Sequence, residues 1–198
     1  MRGDPTTRMA YARSPKVAQH LRWTCVLLLL FVWLSPQGCR QQGADGSGVG
    51  QYQAWPVVDK DTLEGRARAP GRIATVVAVW ASWCKPCLEE FATLNSLQEQ
   101  HSGGAVKIIG LCVDELPENG PWVTRAIEAH KPGFEMLRTA SGDADAVVKG
   151  LVPGWDGVLP LTIVLDGAGK KVAAVSGRAG AEILEGHLNP LLAAAGLL

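Results

Sequence analysis

Charge imbalance is missing from this chain: 19 Lys and Arg offset 19 Asp and Glu, so the formal net charge is zero. The balance hides an asymmetry. Residues 1–38 carry five basic residues against one acid, or +4, while the remainder carries 14 against 18, or −4. A mildly acidic body has no basic stripe for a phosphate backbone, which argues against nucleic acid as a partner. Cysteine is sparse as well, with five in 198 residues at positions 25, 39, 84, 87 and 112. That is too few for a disulfide-built scaffold at this length. Histidine is scarcer still and scattered, with His101, His130 and His187 far apart in the body of the chain, so a zinc site of several imidazoles has little to draw on. No internal repeat is evident. Long apolar runs are absent too: residues 23–34 fall short of the roughly 20 residues that a stable membrane-spanning helix takes.

What is present divides the chain in three. Arg2, Arg8, Arg13, Lys16 and Arg22 precede the apolar block 23–34, and Ser35-Pro36-Gln37-Gly38 breaks it. A basic start, an apolar core and a polar break describe an export signal over residues 1–38, with an uncleaved signal anchor as the alternative. Cys39 follows Gly38, a position similar to the lipid-modified cysteine of bacterial lipoproteins. Such sites prefer Leu three residues before the cysteine, and Pro36 stands there, so lipidation of Cys39 stands beside a stray cysteine in the signal's wake. Gly-rich residues 39–51 read as a flexible tether, and residues 52–198 as one domain. Apolar residues make up 47% of the chain, ordinary for a globular protein with an adequate core.

The chemistry concentrates at Trp80-Ala81-Ser82-Trp83-Cys84-Lys85-Pro86-Cys87. An apolar run over 73–80, with Val76, Val77 and Val79, predicts a strand buried on both faces. A helical pattern over 85–100 follows. Two cysteines separated by two residues at a strand-to-helix junction are a redox arrangement. Unpaired N–H groups and the helix dipole favour a thiolate on Cys84, and Lys85 adds a positive charge beside it. Cys87, a turn deeper, is placed to form a reversible disulfide. Half of a zinc site is the competing reading, with only Cys112 and the scattered histidines to complete it. At 100° per residue Cys84, Cys87, Leu88, Phe91 and Leu94 share one side of the helix. Glu89 faces the opposite side, whereas Glu90 flanks the apolar stripe one turn beyond Cys87. Geometry therefore permits Glu90 to sit near the second sulfur as a shielded proton acceptor. An ordinary solvated helix acid is the alternative.

The remaining elements are read in order. Residues 52–70 give a short strand near 55–58 and a polar turn at 59–61. Residues 106–113 are a strand, and 121–130 a helix with Pro in its first turn. A short strand at 134–137 and a short helix at 143–149 follow. Residues 157–176 form a strand–turn–strand hairpin through Gly167 and Gly169. A last helix spans 180–195, and Pro190 should interrupt it. Cys112 closes a strand and suits either a resolving role or that of a small buried residue.

Trp83-Cys84-Lys85-Pro86-Cys87 resembles the active site of the thioredoxin superfamily. The longer string from Val79 to Glu90 is similar to the TlpA/ResA-like extracytoplasmic thiol–disulfide oxidoreductases, and the similarity runs from about residue 57 onward. It implies an α/β, thioredoxin-like fold: a central mixed sheet flanked by helices, with a helical insertion. It implies no cofactor beyond a Cys84–Cys87 disulfide. Cys84 then acts as exposed nucleophile, Cys87 as resolving thiol and Glu90 as the active-site glutamate. Pro160 matches the superfamily's cis-proline facing the cysteines; Trp83, Pro86 and Leu159 join it in contacting substrate, with Trp155 serving either contact or packing. The pattern departs at Ala92, where the family often has Pro. By the same resemblance, the partners are a protein disulfide and a membrane thiol-transfer electron donor. The protein is then an exported monomer, held at the periplasmic or extracytoplasmic face of a membrane by lipid or signal anchor. It reduces disulfides, including those of apocytochrome c. A thiol peroxidase of the same superfamily, lacking here the Thr-x-x-Cys pattern, and a metal-binding CxxC protein without turnover are the alternatives.

Overall fold

A computed structural model describes residues 52–198; the export signal, the tether and Cys39 lie outside the described residues. The sheet has five strands in the order β3-β2-β1-β4-β5. They are β1 (Ala74–Trp80), β2 (Val106–Cys112), β3 (Glu135–Arg138), β4 (Leu161–Asp166) and β5 (Lys171–Ser176). β1 is parallel to β2 and β2 to β3, whereas β4 is antiparallel to both β1 and β5. The mixed, helix-flanked sheet is the expected fold class. The helices are α1 (Lys60–Ala67), α2 (Lys85–Gln100), α3 (Gly120–His130), α4 (Ala144–Leu151) and α5 (Ala181–Ala194). Among the described residues, no helix is long and apolar enough to cross a membrane.

Every residue of β1 is buried, as a strand covered on both faces requires. Alternation sends its side chains to two separate cores. Ala74, Val76, Ala78 and Trp80 join Phe91 and Leu94 of α2, Val123 of α3 and Leu184 and Leu188 of α5. Val77 and Val79 join Leu63 of α1 and Val147, Val148 and Leu151 of α4 on the other face. The first core holds an aromatic cluster built on Phe91. Its ring meets Trp80 at 5.1 Å and Phe134 at 5.4 Å, both edge-to-face, the favoured geometry for π-systems. This cluster seats α2 on β1.

Several local expectations change. The polar turn at 59–61 is the start of α1. Asp59 is its N-cap, accepting the Thr62 N–H at 2.8 Å, a common way to satisfy a first-turn donor. The helix buries only Leu63 and Ala67, one turn apart, so it carries almost no apolar period for a reader to detect. The short strand near 55–58 reduces to a single bridge between Val57 and Arg138. The hairpin's first strand begins at Leu161, after a loop in which Gly157 takes φ 88°, a left-handed conformation that favours glycine. Pro190 lies inside α5 without ending it. Leu184, Leu188 and Leu192 are buried on both sides of it, and that packing outweighs the missing proline donor.

Candidate active site

β1 delivers the chain to the site at its C-terminal end. Asp114, just past β2, fixes the loop that follows. Its buried carboxylate accepts the Ser82 N–H at 2.6 Å and the Ser82 hydroxyl at 2.8 Å. The Cys112 thiol donates to the same carboxylate at 3.4 Å. Both polar groups of Ser82 are thereby fixed two residues before Cys84. Cys112 is a free, fully buried thiol. Burial, with the Asp114 carboxylate beside it, pushes this thiol well above the ordinary cysteine range. It therefore suits a small core residue and not an attacking group.

Cys84 is the N-cap of α2 and is bonded to Cys87, with Cα atoms 5.3 Å apart. Its sulfur accepts the Cys87 N–H at 3.3 Å, and its carbonyl accepts the N–H groups of Cys87 and Leu88. The pair thus sits at the first-turn donors of a helix start, where negative charge is favoured. The nucleophile was expected to be exposed. In the disulfide state Cys84 retains 4% of its surface and Cys87 2%, because the sulfur that caps the helix is turned inward to its partner. Lys85 is 86% exposed and lies 3.9 Å from the Glu89 carboxylate, so solvent and that pairing both weaken its field at the sulfur.

Glu90 is buried with 3% of its surface exposed; it is not a solvated helix acid. Its Oε1 accepts the Ala179 N–H at 2.9 Å and the Thr162 hydroxyl at 3.4 Å. Burial raises its pKa above the ordinary carboxylate value; the Ala179 N–H, the Thr162 hydroxyl and the Arg178 charge oppose that rise in decreasing order. Glu89, by contrast, is exposed and pairs with Lys85 and Arg178.

The Leu159–Pro160 bond is cis, and Pro160 is buried just before β4. Leu159 packs partly buried against both cores. Pro86 is exposed in the first turn of α2. Trp83 is 66% exposed. Trp155 belongs to the opposite core, its indole N–H donating to the Val158 carbonyl at 2.9 Å, so it is a packing residue. A second exposed indole, Trp122 of α3, was not anticipated. With Ser82, Trp83 and Asn119 it lines a groove of about 430 Å³, and the Arg125 guanidinium stacks on it at 4.8 Å. An indole on the solvent side of an otherwise amphipathic helix was the available signal. Asp114, a carboxylate directly after an apolar strand, was another. Among the described residues no group of three or more His, Cys, Asp or Glu side chains is placed to hold a metal ion.

A dithiol pair capping the helix that follows the central strand of a β3-β2-β1-β4-β5 mixed sheet defines a thioredoxin-like protein. The chain belongs to the AhpC/TSA family, whose model matches residues 67–174. Among curated relatives, it is 27% identical over 138 residues to the thiol:disulfide interchange protein HelX of Rhodobacter capsulatus, covering 70% of this chain and 68% of that protein. It is 28% identical over 112 residues to the thiol-disulfide oxidoreductase ResA of Bacillus cereus, covering 57% of this chain and 60% of that one. The chain thus spans about two thirds of the first relative's length and 60% of the second's. The fold is shared with a thiol:disulfide interchange protein of Chlorobium tepidum at TM-score 0.54 and 19% identity, over 65% of this chain and 84% of that one.

Proposed function

We infer that this protein is a thiol–disulfide oxidoreductase that exchanges the Cys84–Cys87 pair with disulfides of other proteins. The observation that carries the reading is the disulfide at the N-cap of α2 with the buried carboxyl of Glu90 one turn further on. In the reduced protein the Cys84 thiolate attacks one sulfur of a partner disulfide. That S–S bond breaks, the second partner sulfur leaves as thiolate, and a mixed disulfide remains. Cys87 then gives its proton to Glu90 and attacks the Cys84 sulfur, re-forming the intramolecular bond and releasing the partner's other thiolate. Two electrons pass from the pair to the partner. A carboxyl whose pKa is raised by burial holds a proton more readily than a solvated one, which suits it to accept the proton of Cys87.

The likeness of Trp83 to Cys87 to the thioredoxin superfamily supports Trp83, Pro86, Leu159 and Pro160 as the substrate-contact surface. The Trp83–Trp122 groove extends that surface, and Leu159 offers backbone groups for strand-like pairing with the substrate chain. The likeness of Val79 to Glu90 to the TlpA/ResA-like proteins supports the reducing direction, with apocytochrome c cysteines among the substrates and a membrane thiol-transfer protein as donor. The basic and apolar pattern of residues 1–38 supports export and attachment to a membrane, by a signal anchor or through lipid on Cys39. The domain acts as a monomer.

Equilibration with glutathione buffers tests the direction. A reductase settles at a potential well below the roughly −120 mV of a strong DsbA-like oxidant, and a value near that figure contradicts the reading. The AhpC/TSA match favours a second reading, a thiol peroxidase. Against it, the position three residues before Cys84 is Ala81, which is fully buried and has no hydroxyl to offer a peroxide. Peroxide consumption coupled to a thiol reductant would support the peroxidase.

A further inference from the structure

The shorter of the two hydrogen bonds on the Glu90 carboxyl comes from a short segment between β5 and α5. This segment, residues 177–180, is anchored at both ends. The Gly177 N–H donates to the Pro160 carbonyl at 2.9 Å, and Gly180 is the N-cap of α5. Between these anchors, the Ala179 N–H donates to Glu90 Oε1 at 2.9 Å, and Ala179 is 1% exposed. The neighbouring side chain, Arg178, turns outward. Its Nη1 meets Glu89 Oε2 at 3.2 Å, and Lys85 approaches the other oxygen of Glu89 at 3.9 Å. Adjacent residues of α2 thus grip adjacent residues of the segment: Glu89 holds Arg178 on the surface, and Glu90 holds Ala179 beneath it. Gly177, at φ 84°, gives the backbone the conformation that lets these two residues face α2 together.

We propose that Arg178 is a positioning residue for Glu90: its pairing with Glu89 latches segment 177–180 in place, keeping the Ala179 N–H on the Glu90 carboxyl and water off it. The role assigned to Glu90 rests on its reading as acceptor of the Cys87 proton. The latch itself rests only on the contacts above. Among the charged groups around α2, Arg178 is the one whose field acts on Glu90; Thr162 faces it from β4, and Cys87 precedes it on its own helix. The Arg178 side chain is 60% exposed and that of Glu89 42%, so the latch is of surface-pair strength and weakens with salt.

Amide hydrogen exchange in the oxidised full-length protein reads the latch directly. In Arg178→Ala and in Glu89→Gln, the Ala179 amide exchanges about two- to fivefold faster, as loss of a surface pair allows. Amides within β4 keep their rates. The double variant is no faster than either single one, and Arg178→Lys stays near wild type. An unchanged Ala179 rate, or an equal acceleration across the sheet, overturns the latch. The pH profile of mixed-disulfide resolution supplies the second readout. Glu89→Gln opens the latch while keeping the Arg178 charge; hydration then returns the raised Glu90 pKa toward the ordinary carboxylate value, so the acid limb moves to lower pH in that variant. A move to higher pH in Arg178→Ala with no move in Glu89→Gln means that Arg178 acts through its charge alone and contradicts the latch. Faster Ala179 exchange with an unmoved profile upholds the latch and rejects Glu90 as proton acceptor.

Discussion

Cys87→Ala captures its partner and does not let it go. Cys84 still attacks the foreign disulfide, because its position at the N-cap of α2 does not need the second sulfur. The mixed disulfide then persists, because the group that would break it is gone. Multiple-turnover reduction of a protein disulfide such as that of insulin falls by about three orders of magnitude or more, the scale on which removing one member of a catalytic unit usually acts. A covalent adduct accumulates in its place, visible on a non-reducing gel. Cys84→Ser loses the same turnover and forms no adduct. The contrast between the two variants carries the assignment. If both formed adducts equally, or neither did, the division into attacking and resolving thiols would be wrong. The adduct of Cys87→Ala also names the physiological partner when it is isolated from cells.

Phe91→Ala has the largest expected effect on stability. Phe91 is 1% exposed and touches Trp80, Phe134 and His130 through edge-on ring contacts. Its removal leaves a void between α2 and β1 that rigid neighbours fill poorly, at a cost of about 3–5 kcal/mol. Against the roughly 5–15 kcal/mol that holds most domains folded, this is a large share. The thermal midpoint drops by about 10 °C or more. A loss below about 1 kcal/mol, on the scale of a half-exposed side chain, would show that Phe91 does not seat the helix. Because Cys84 caps α2 and Cys87 lies in its first turn, the surviving folded fraction also tests how firmly the pair is aimed.

The parts of this architecture legible in the residues are those with a strong period or a rigid motif. β1 is a continuous apolar run over 73–80, and the strand begins one residue inside it, at Ala74. The bounds of α2 follow from the cysteine pair, Pro86 at its second position and the stripe through Phe91 and Leu94. Burial of Glu90 was open on helical geometry alone, since residues one turn from Cys87 can face either way. Only the approach of Thr162 and Ala179, more than 70 positions further on, closes over it. α1 escaped notice because two buried residues make no pattern, and a helix held by an N-cap and ion pairs such as Lys60 with Glu64 reads as a polar loop. Burial of oxidised Cys84 was missed because the motif fixes where the sulfur begins and not which way it turns once bonded. Asp114, in the loop after β2, and Trp122 of α3 reach the site from elsewhere in the chain; each stands out by its local setting, but spacing along the sequence does not show that they meet the cysteine loop.

At the root of the proposed chemistry is a sulfur whose negative charge is stabilised by the opening of a helix. The rate at which iodoacetamide alkylates reduced Cys84, read by mass spectrometry on the peptide that carries it and followed from pH 4 to pH 10 in the Cys87→Ala, Cys112→Ser protein, measures that stabilisation without reference to any substrate. The account expects half-maximal reactivity well below the roughly 8.5 of an ordinary cysteine. A midpoint at or above that value would mean that the helix start confers no advantage on Cys84, and the mechanism built on it would fail.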